Sequence, residues 1–400
     1  MKKIFVILTL ILIICGGFFL FNKNEKSEEV VFWTLQMSDF SSYINNVITE
    51  FEAQNPNIKI KWVDVPFSEG EKRTLASVLS DNPPDLVNLN PDFSATLAHK
   101  GALQEISQED LTQFNPEILN TLKVDDKIYS IPWYATSAIT IYNKELFQKA
   151  GLNVPKTYEQ VYQNAGQMKN KTGAYIFLPN ITENDTMLKI LNKYGCSSSL
   201  SNCSEIFNMF QNLYAQNLIP KETVTMTLQE ALEKYMSGNI ALIGAGANFL
   251  NMIKENAPSI YAVTDTAPQL TGSLKQNDFS LMNFVIPLRA RHKQEALKFA
   301  LFLTNDKNQL ELAKLTNVIA TNKKTLQNDF YTHYDEKDLM AKARVISAKQ
   351  LNNVTPAFKT EKNQKEINNL VNTAVQRILL GEPAEKILDE TQDKWRMLGK

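Results

Sequence analysis

The chain has 400 residues, 44% of them hydrophobic and 21% charged, with a formal net charge of −1. That length is ample for two domains with separate cores, and the near-neutral balance gives no basic footprint of the kind a nucleic-acid partner requires. No low-complexity run interrupts the sequence, so a disordered or fibrous chain is excluded.

At the N-terminus, Lys2 and Lys3 precede an apolar run over 4–14, then Cys15-Gly16-Gly17 and a second apolar run over 18–21. A short basic region followed by an apolar stretch is the pattern of an export signal. Cys15 is a candidate for lipidation after signal cleavage, although Ile14 stands where a small residue is usual. Left uncut, 4–21 gives about 18 mostly apolar residues, the lower end of a bilayer-spanning length. Either way, 1–21 is expected to be a signal peptide or membrane anchor and 22–29 a polar tether, with the body exported.

Along the body, residues 30–35 form a short apolar run expected to be a buried strand. Ser41 or Ser42 can cap the next helix, where Ile44, Val47, Ile48 and Phe51 recur at helical spacing before Pro56. Ile58, Ile60 and Trp62 alternate with Lys59 and Lys61 as a half-buried strand with Trp62 on its core side. A helix over 70–79, Pro83-Pro84 and a strand over 85–89 follow. Strand, helix, strand, helix, strand is the order of a mostly parallel sheet with helices on both faces.

Residues 131–155, IPWYATSAITIYNKELFQKAGLNVP, are the most informative stretch. Pro132-Trp133-Tyr134 sets two rings beside a rigid bend, a β-rich run covers 139–142, and a helix over 144–150 is closed by Gly151 as a C-cap. Further on, 174–178 and 240–243 read as strands, with helices near 186–194, 204–216 and 228–237 between them. Ala296, Phe299, Ala300 and Leu303 share a helical face, as do Ile367, Leu370, Val371, Ala374 and Ile378; Gly381 stops that last helix and Pro383 starts another.

Cysteine usage is sparse. Cys196 and Cys203 stand seven apart in the Ser/Asn-rich GCSSSLSNC, which in an exported protein suggests a disulfide-closed loop, the alternative being two free thiols. A metal site there lacks partners, because His99, His292 and His333 are remote in sequence. Enzyme signatures are missing: there is no His-Glu-x-x-His pair, no Gly-x-Ser-x-Gly elbow, and Gly244-Ala245-Gly246 lacks the third glycine of a dinucleotide fingerprint. A glycosidase could still hide two carboxylates among 43 acidic residues, because their required separation is spatial.

The run Tyr142-Asn143-Lys144, Leu146-Phe147, Ala150-Gly151-Leu152 and Pro155 resembles a signature of the extracellular solute-binding proteins of ABC importers, in the branch that includes maltose-binding and other sugar-binding proteins. FEAQNPNIKI, NPPDLVNL, and the Met236-Ser237-Gly238-Asn239-Ile240 helix-to-strand step also resemble that family, in the same order, from about 30 to 395. The resemblance implies a two-lobed, periplasmic-binding-protein type II-like α/β fold, each lobe a mixed, mostly parallel sheet flanked by helices. The lobes would be 30–137 plus 284–340 and 138–283 plus 341–400, joined by crossings near 135–139, 280–284 and 337–344.

It further implies a ligand held between the lobes and handed to ABC permease subunits by a monomeric protein that needs no cofactor and no metal. Sugar rings stack on aromatic faces and their hydroxyls pair with planar polar groups. That chemistry, at the family's cleft positions, selects Trp33, Trp133 and Tyr134 as stacking faces. Asn90, Asp92, Asn248 and Asn283 are the polar partners, and Gly246 is a point of close backbone approach. Many sugar binders carry a Trp just after this glycine turn; here Asn248 and Phe249 stand there. Other readings are a binder of a polyol, polyamine or phosphate ester, a ligand-sensing surface module, and a glycoside-processing enzyme.

Overall fold

The protein is described here from a computed structural model covering residues 28–196, 199–354 and 363–398. The export segment, Cys15 and the tether through 27 lie outside the described residues.

Two sheets organise the chain. The first has six strands in the order β12-β6-β11-β3-β1-β2: β1 is Glu28–Leu35, β2 Ile58–Val65, β3 Leu86–Leu89, β6 Ser130–Thr136, β11 Ser280–Val285 and β12 Ile319–Ala320. The second runs β10-β7-β9-β8: β7 is Ala138–Asn143, β8 Tyr175–Phe177, β9 Ile240–Gly246 and β10 Thr264–Ala267. A two-residue hairpin, β4 (Lys123–Val124) with β5 (Lys127–Ile128), stands apart.

The alternating residues Val30, Phe32 and Thr34 of β1 are buried, and the helix Ser41–Gln54 covers them with Ile44, Val47, Ile48 and Phe51, the positions its periodicity marks. Phe32, Phe51 and Phe299 meet edge to face at ring centroid distances of 4.9 to 5.3 Å. Trp62 packs half-buried against this core and donates its indole N–H to the Thr34 hydroxyl at 2.8 Å.

Within the two sheets, parallel pairing among the described residues is confined to β1 with β2, β1 with β3 and β8 with β9. All other pairings in the two sheets are antiparallel, so each sheet is mixed, with parallel order restricted to its β-α-β portion. The cause is the route of the chain. Ser137 alone separates β6 from β7, so an extended segment leaves one sheet and enters the other within a single residue. The chain returns through 278–280 into β11, which wedges antiparallel between β3 and β6. A third connection is the helix Leu339–Gln350: its Ala343 lies in the core under β9, while Ala348 packs with Ile319 and Ala320 of the first lobe. All of β11 belongs to the first sheet, so the expected boundary at 283/284 falls inside a strand; the crossing sits at 278–280 instead.

The second lobe has its own core. Ser204–Ala215, Gln364–Leu379 and Ala384–Leu398 pack together with Phe207, Phe210, Val371, Ile378 and Ile387 buried. Cys196 and Cys203 are joined as a disulfide against this core, their Cα atoms 6.2 Å apart.

Candidate functional site

Two neighbouring cavities lie where the chain crosses between the lobes. One, of about 400 Å³, is walled by the second lobe: the end of β9 (Gly244, Gly246), the loop after β8 (Asn180, Glu183, Asn184) and the helix Thr186–Asn192, which contributes Lys189. Both crossings close it, through Thr136 to Ala138 and Asp278 to Ser280. The other, of about 320 Å³, lies between the lobes, with Met37, Phe40, Tyr134 and Leu312 on one side and Gly246, Ala247 and Asn248 on the other. Thr136, Ser137, Gly246 and Asn248 line both, so the two form one groove.

Gly246 lets the Asn248 side chain approach the strand end closely. A Cβ there would meet the Asn248 side-chain oxygen at 2.5 Å, so a larger residue would turn the exposed Asn248 side chain away from its place over the strand end. Asn248 is exposed and makes no capping hydrogen bond to the helix Phe249–Asn256 that follows. Both residues therefore offer polar surface and backbone to the groove.

The crossings are tied by a buried polar network. The Ser137 hydroxyl receives hydrogen bonds from Gln350 at 2.7 Å and Gln269 at 3.1 Å, and donates to the Asp278 carbonyl at 3.2 Å. Gln269 also donates from its amide group to that carbonyl at 2.9 Å, and its backbone N–H donates to Gln350 at 2.7 Å. Lys193, 2% exposed, donates to Gln269 Oε1 at 2.6 Å and the Leu270 carbonyl at 2.8 Å, and pairs with Asp278 at 2.9 Å. Burial works against charge on both partners. For Lys193 the Tyr158 oxygen and the Asp278 carboxylate outweigh it and hold the amine above the ordinary lysine range. For Asp278 the charges of Lys193 and Lys189 outweigh it and hold the carboxyl below the ordinary range.

Lys189 reaches the groove from the same helix, donating to Ser280 at 3.1 Å and pairing with Asp185 at 3.1 Å. Burial opposes its charge, but Asp185, Asp278 and the first-lobe Asp92 together raise it above the usual value. Asp92 itself lines neither cavity.

Of the residues selected from sequence, Tyr134, Gly246 and Asn248 line the groove. Burial pushes the Tyr134 phenol up to about 12, so it is a neutral donor at ordinary pH. Trp133 requires correction. It is 0% exposed, stacks on Phe284 with centroids 4.6 Å apart, and leaves its indole N–H without a partner. β6 is buried on both faces through Trp133, which puts this ring in the first-lobe core rather than on the groove wall. Trp33 lies within β1, half-buried against the cluster that includes Val87 and Leu89, with the Arg73 guanidinium 5.2 Å from its ring centre, and lines neither cavity.

The Asn90 side chain is committed to capping the helix Pro91–His99, accepting from Phe93 N–H at 2.8 Å. Asn283 is fully buried beside a bulge in β11, with both side-chain polar atoms unpaired. It lies off the groove. Sequence reasoning missed Ser137, Lys189, Lys193, Gln269, Asp278 and Gln350. The i, i+4 spacing of Asp185, Lys189 and Lys193 was the one available signal.

Two α/β lobes joined by extended crossings, with a polar groove at those crossings, define a two-lobed ligand-binding protein of the open α/β type, in which ligands sit beyond strand ends. The sequence profile of the bacterial extracellular solute-binding protein matches residues 36–310, and the chain belongs to that family. Relatives include the multiple sugar-binding protein of Streptococcus mutans, 23% identical and covering 71% of this chain and 73% of that protein. The diacetylchitobiose-binding protein of Streptomyces coelicolor is 24% identical, covering 76% and 75%. Among solved structures, a periplasmic-binding protein from Synechococcus sp. MITs9220 superposes with a TM-score of 0.82 at 28% identity, covering 92% of this chain and 98% of that one.

Proposed function

We propose that this protein is the capture component of an ABC importer, binding a carbohydrate-like solute between its lobes and delivering it unaltered to membrane permease subunits. The observation that carries the reading is the groove itself. Its two cavities, about 400 and 320 Å³, suit one or two sugar rings. Aromatic faces line it at Phe249 and Phe279 in one cavity and at Phe40 and Tyr134 in the other. Asn180, Glu183, Asp185 and Asn248 supply the planar polar groups that hydroxyls need. Tyr134, Gly246 and Asn248 are retained as ligand contacts and joined by Lys189, whereas Trp133, Trp33, Asn90 and Asn283 serve the scaffold. Asp92 adds to the negative field that keeps Lys189 charged.

The sugar-binding relatives support the cargo class, and family membership supports an exported body. The lobes divide at the crossings, 28–136 with 280–338 and 138–278 with the rest, and the body is held at the membrane through 1–21, by Cys15 or by the uncut segment. A thermal-shift screen of the purified full-length chain against mono- and oligosaccharides, polyols, polyamines and phosphate esters tests the assignment. A ligand at a hundred times its Kd that binds only the folded state adds about 2.7 kcal/mol. A shift from a sugar, recovered intact, is the expected result. A shift confined to another class would replace the cargo, and a cleaved sugar would replace the binding role with an enzymatic one.

A further inference from the structure

His292 stands at the N-cap position of the helix Lys293–Leu303, and Glu295 follows three residues later, a spacing that sets both side chains on one side of the helix start. Glu28, the first residue of β1, reaches the same point. The potential ligand atoms of Glu28, His292 and Glu295 all lie within 4.8 Å of one another, with His292 Nδ1 3.6 Å from a Glu28 oxygen.

The arrangement is held from behind. Asp85, 3% exposed, accepts from the backbone N–H groups of Arg291 and His292 through one oxygen, both at 3.0 Å, and from Val31 N–H through the other at 2.9 Å. One buried carboxylate therefore ties the strand that carries Glu28 to the turn that carries His292. The place is remote from the groove, which lies past the opposite end of β1. Seven residue steps of strand put about 23 Å between those ends.

We infer that Glu28, His292 and Glu295 form a binding site for a divalent transition-metal ion, Zn²⁺ foremost. One imidazole nitrogen and two carboxylates leave a fourth tetrahedral position for water, a donor set that suits Zn²⁺. Mg²⁺ and Ca²⁺ favour shells of oxygen ligands and water, whereas an imidazole nitrogen favours a transition-metal ion. Tetrahedral bonds of about 2.0 Å place ligand atoms about 3.3 Å apart. Glu28 is about half exposed and Glu295 half-buried, and rotation of their side chains closes the remaining distance. His99 with Asp125 at 3.7 Å and His333 with Asp329 at 3.3 Å bring two groups each. Among the described residues no other trio forms. The bound ion would cross-link the first strand of the first lobe to the helix packed on it.

The test is a calorimetric titration of metal-stripped, full-length protein with Zn²⁺, and separately with Mg²⁺, for the wild type, His292→Ala and Glu28→Gln. The inference expects one Zn²⁺ per chain and no saturable Mg²⁺ binding. It also expects affinity to fall at least tenfold in His292→Ala and severalfold in Glu28→Gln, and a Zn²⁺-dependent rise in melting temperature that His292→Ala abolishes. If His292→Ala does not fold, Glu28→Gln decides, since it is isosteric and sits on an exposed side chain. No saturable Zn²⁺ binding, or equal binding in the wild type and both variants, overturns the site and leaves Glu28 and His292 as a surface ion pair only.

Discussion

Replacing Lys193 by Met removes three contacts at once: those to Gln269 at 2.6 Å, the Leu270 carbonyl at 2.8 Å and Asp278 at 2.9 Å. Methionine fills a similar apolar volume, so little of the loss is cavity formation. What remains is an Asp278 carboxylate without its main partner in a poorly hydrated wall. Breaking one side of a buried ion pair costs about 3–5 kcal/mol. The Asp278 side chain keeps 19% of its exposure and retains Lys189 as a second neighbouring charge, so the lower end applies, about 3 kcal/mol. Adding Asp278→Asn should recover more than half of that, because neither charge is then stranded. The assay is urea unfolding of the wild type, both single variants and the double variant. A loss below about 1 kcal/mol for Lys193→Met, or additive losses in the double variant, would refute the view that this pair is a coupled buried unit.

Trp133→Ala should cost about 3–5 kcal/mol of stability as a truncated core aromatic, measured by the same unfolding, with sugar affinity in the folded fraction unchanged. Gly246→Val should do the reverse: stability within about 1 kcal/mol, because exposed Asn248 can swing away, but ligand affinity at least tenfold weaker by titration. The pH response has a defined sign. Asp278 is held below its unfolded value, so its contribution is complete above the ordinary carboxylate range and drains as pH falls below it. Lys193 is held above its unfolded value, so its contribution persists below the ordinary lysine range and is lost only as pH rises past it. Unfolding midpoints should therefore differ between wild type and Lys193→Met by a constant amount from about pH 5 to 9. A difference that varies across that window would place the linkage on other groups.

Much of the fold was legible because local pattern and tertiary burial agree. Ile44, Val47, Ile48 and Phe51 are buried as their spacing requires. Gly151 takes a φ of 65° at the end of Lys144–Ala150, as the signature stretch suggested, and the Asn143 side chain caps its start. The mixed sheets followed from the family resemblance, but where the antiparallel strands enter was not legible locally, since a single residue, Ser137, redirects the chain between sheets without any change in composition. Trp133 misled because a strand buried on both faces shows no alternation, so an aromatic pair beside proline reads equally as surface or core. The hinge network was invisible for a different reason. Lys193 meets Gln269 and Asp278 across 76 and 85 positions of sequence, and nothing local distinguishes a buried lysine with such partners from a solvated one.

Hydrogen exchange of the full-length chain, with and without the sugar that raises its melting temperature most, tests the central claim most directly. The account predicts protection on ligand addition at 136–138, 244–249 and 278–280, where both crossings and the end of β9 meet, with no change around Asp85 and His292. Protection elsewhere, with those three segments unaltered, would contradict it.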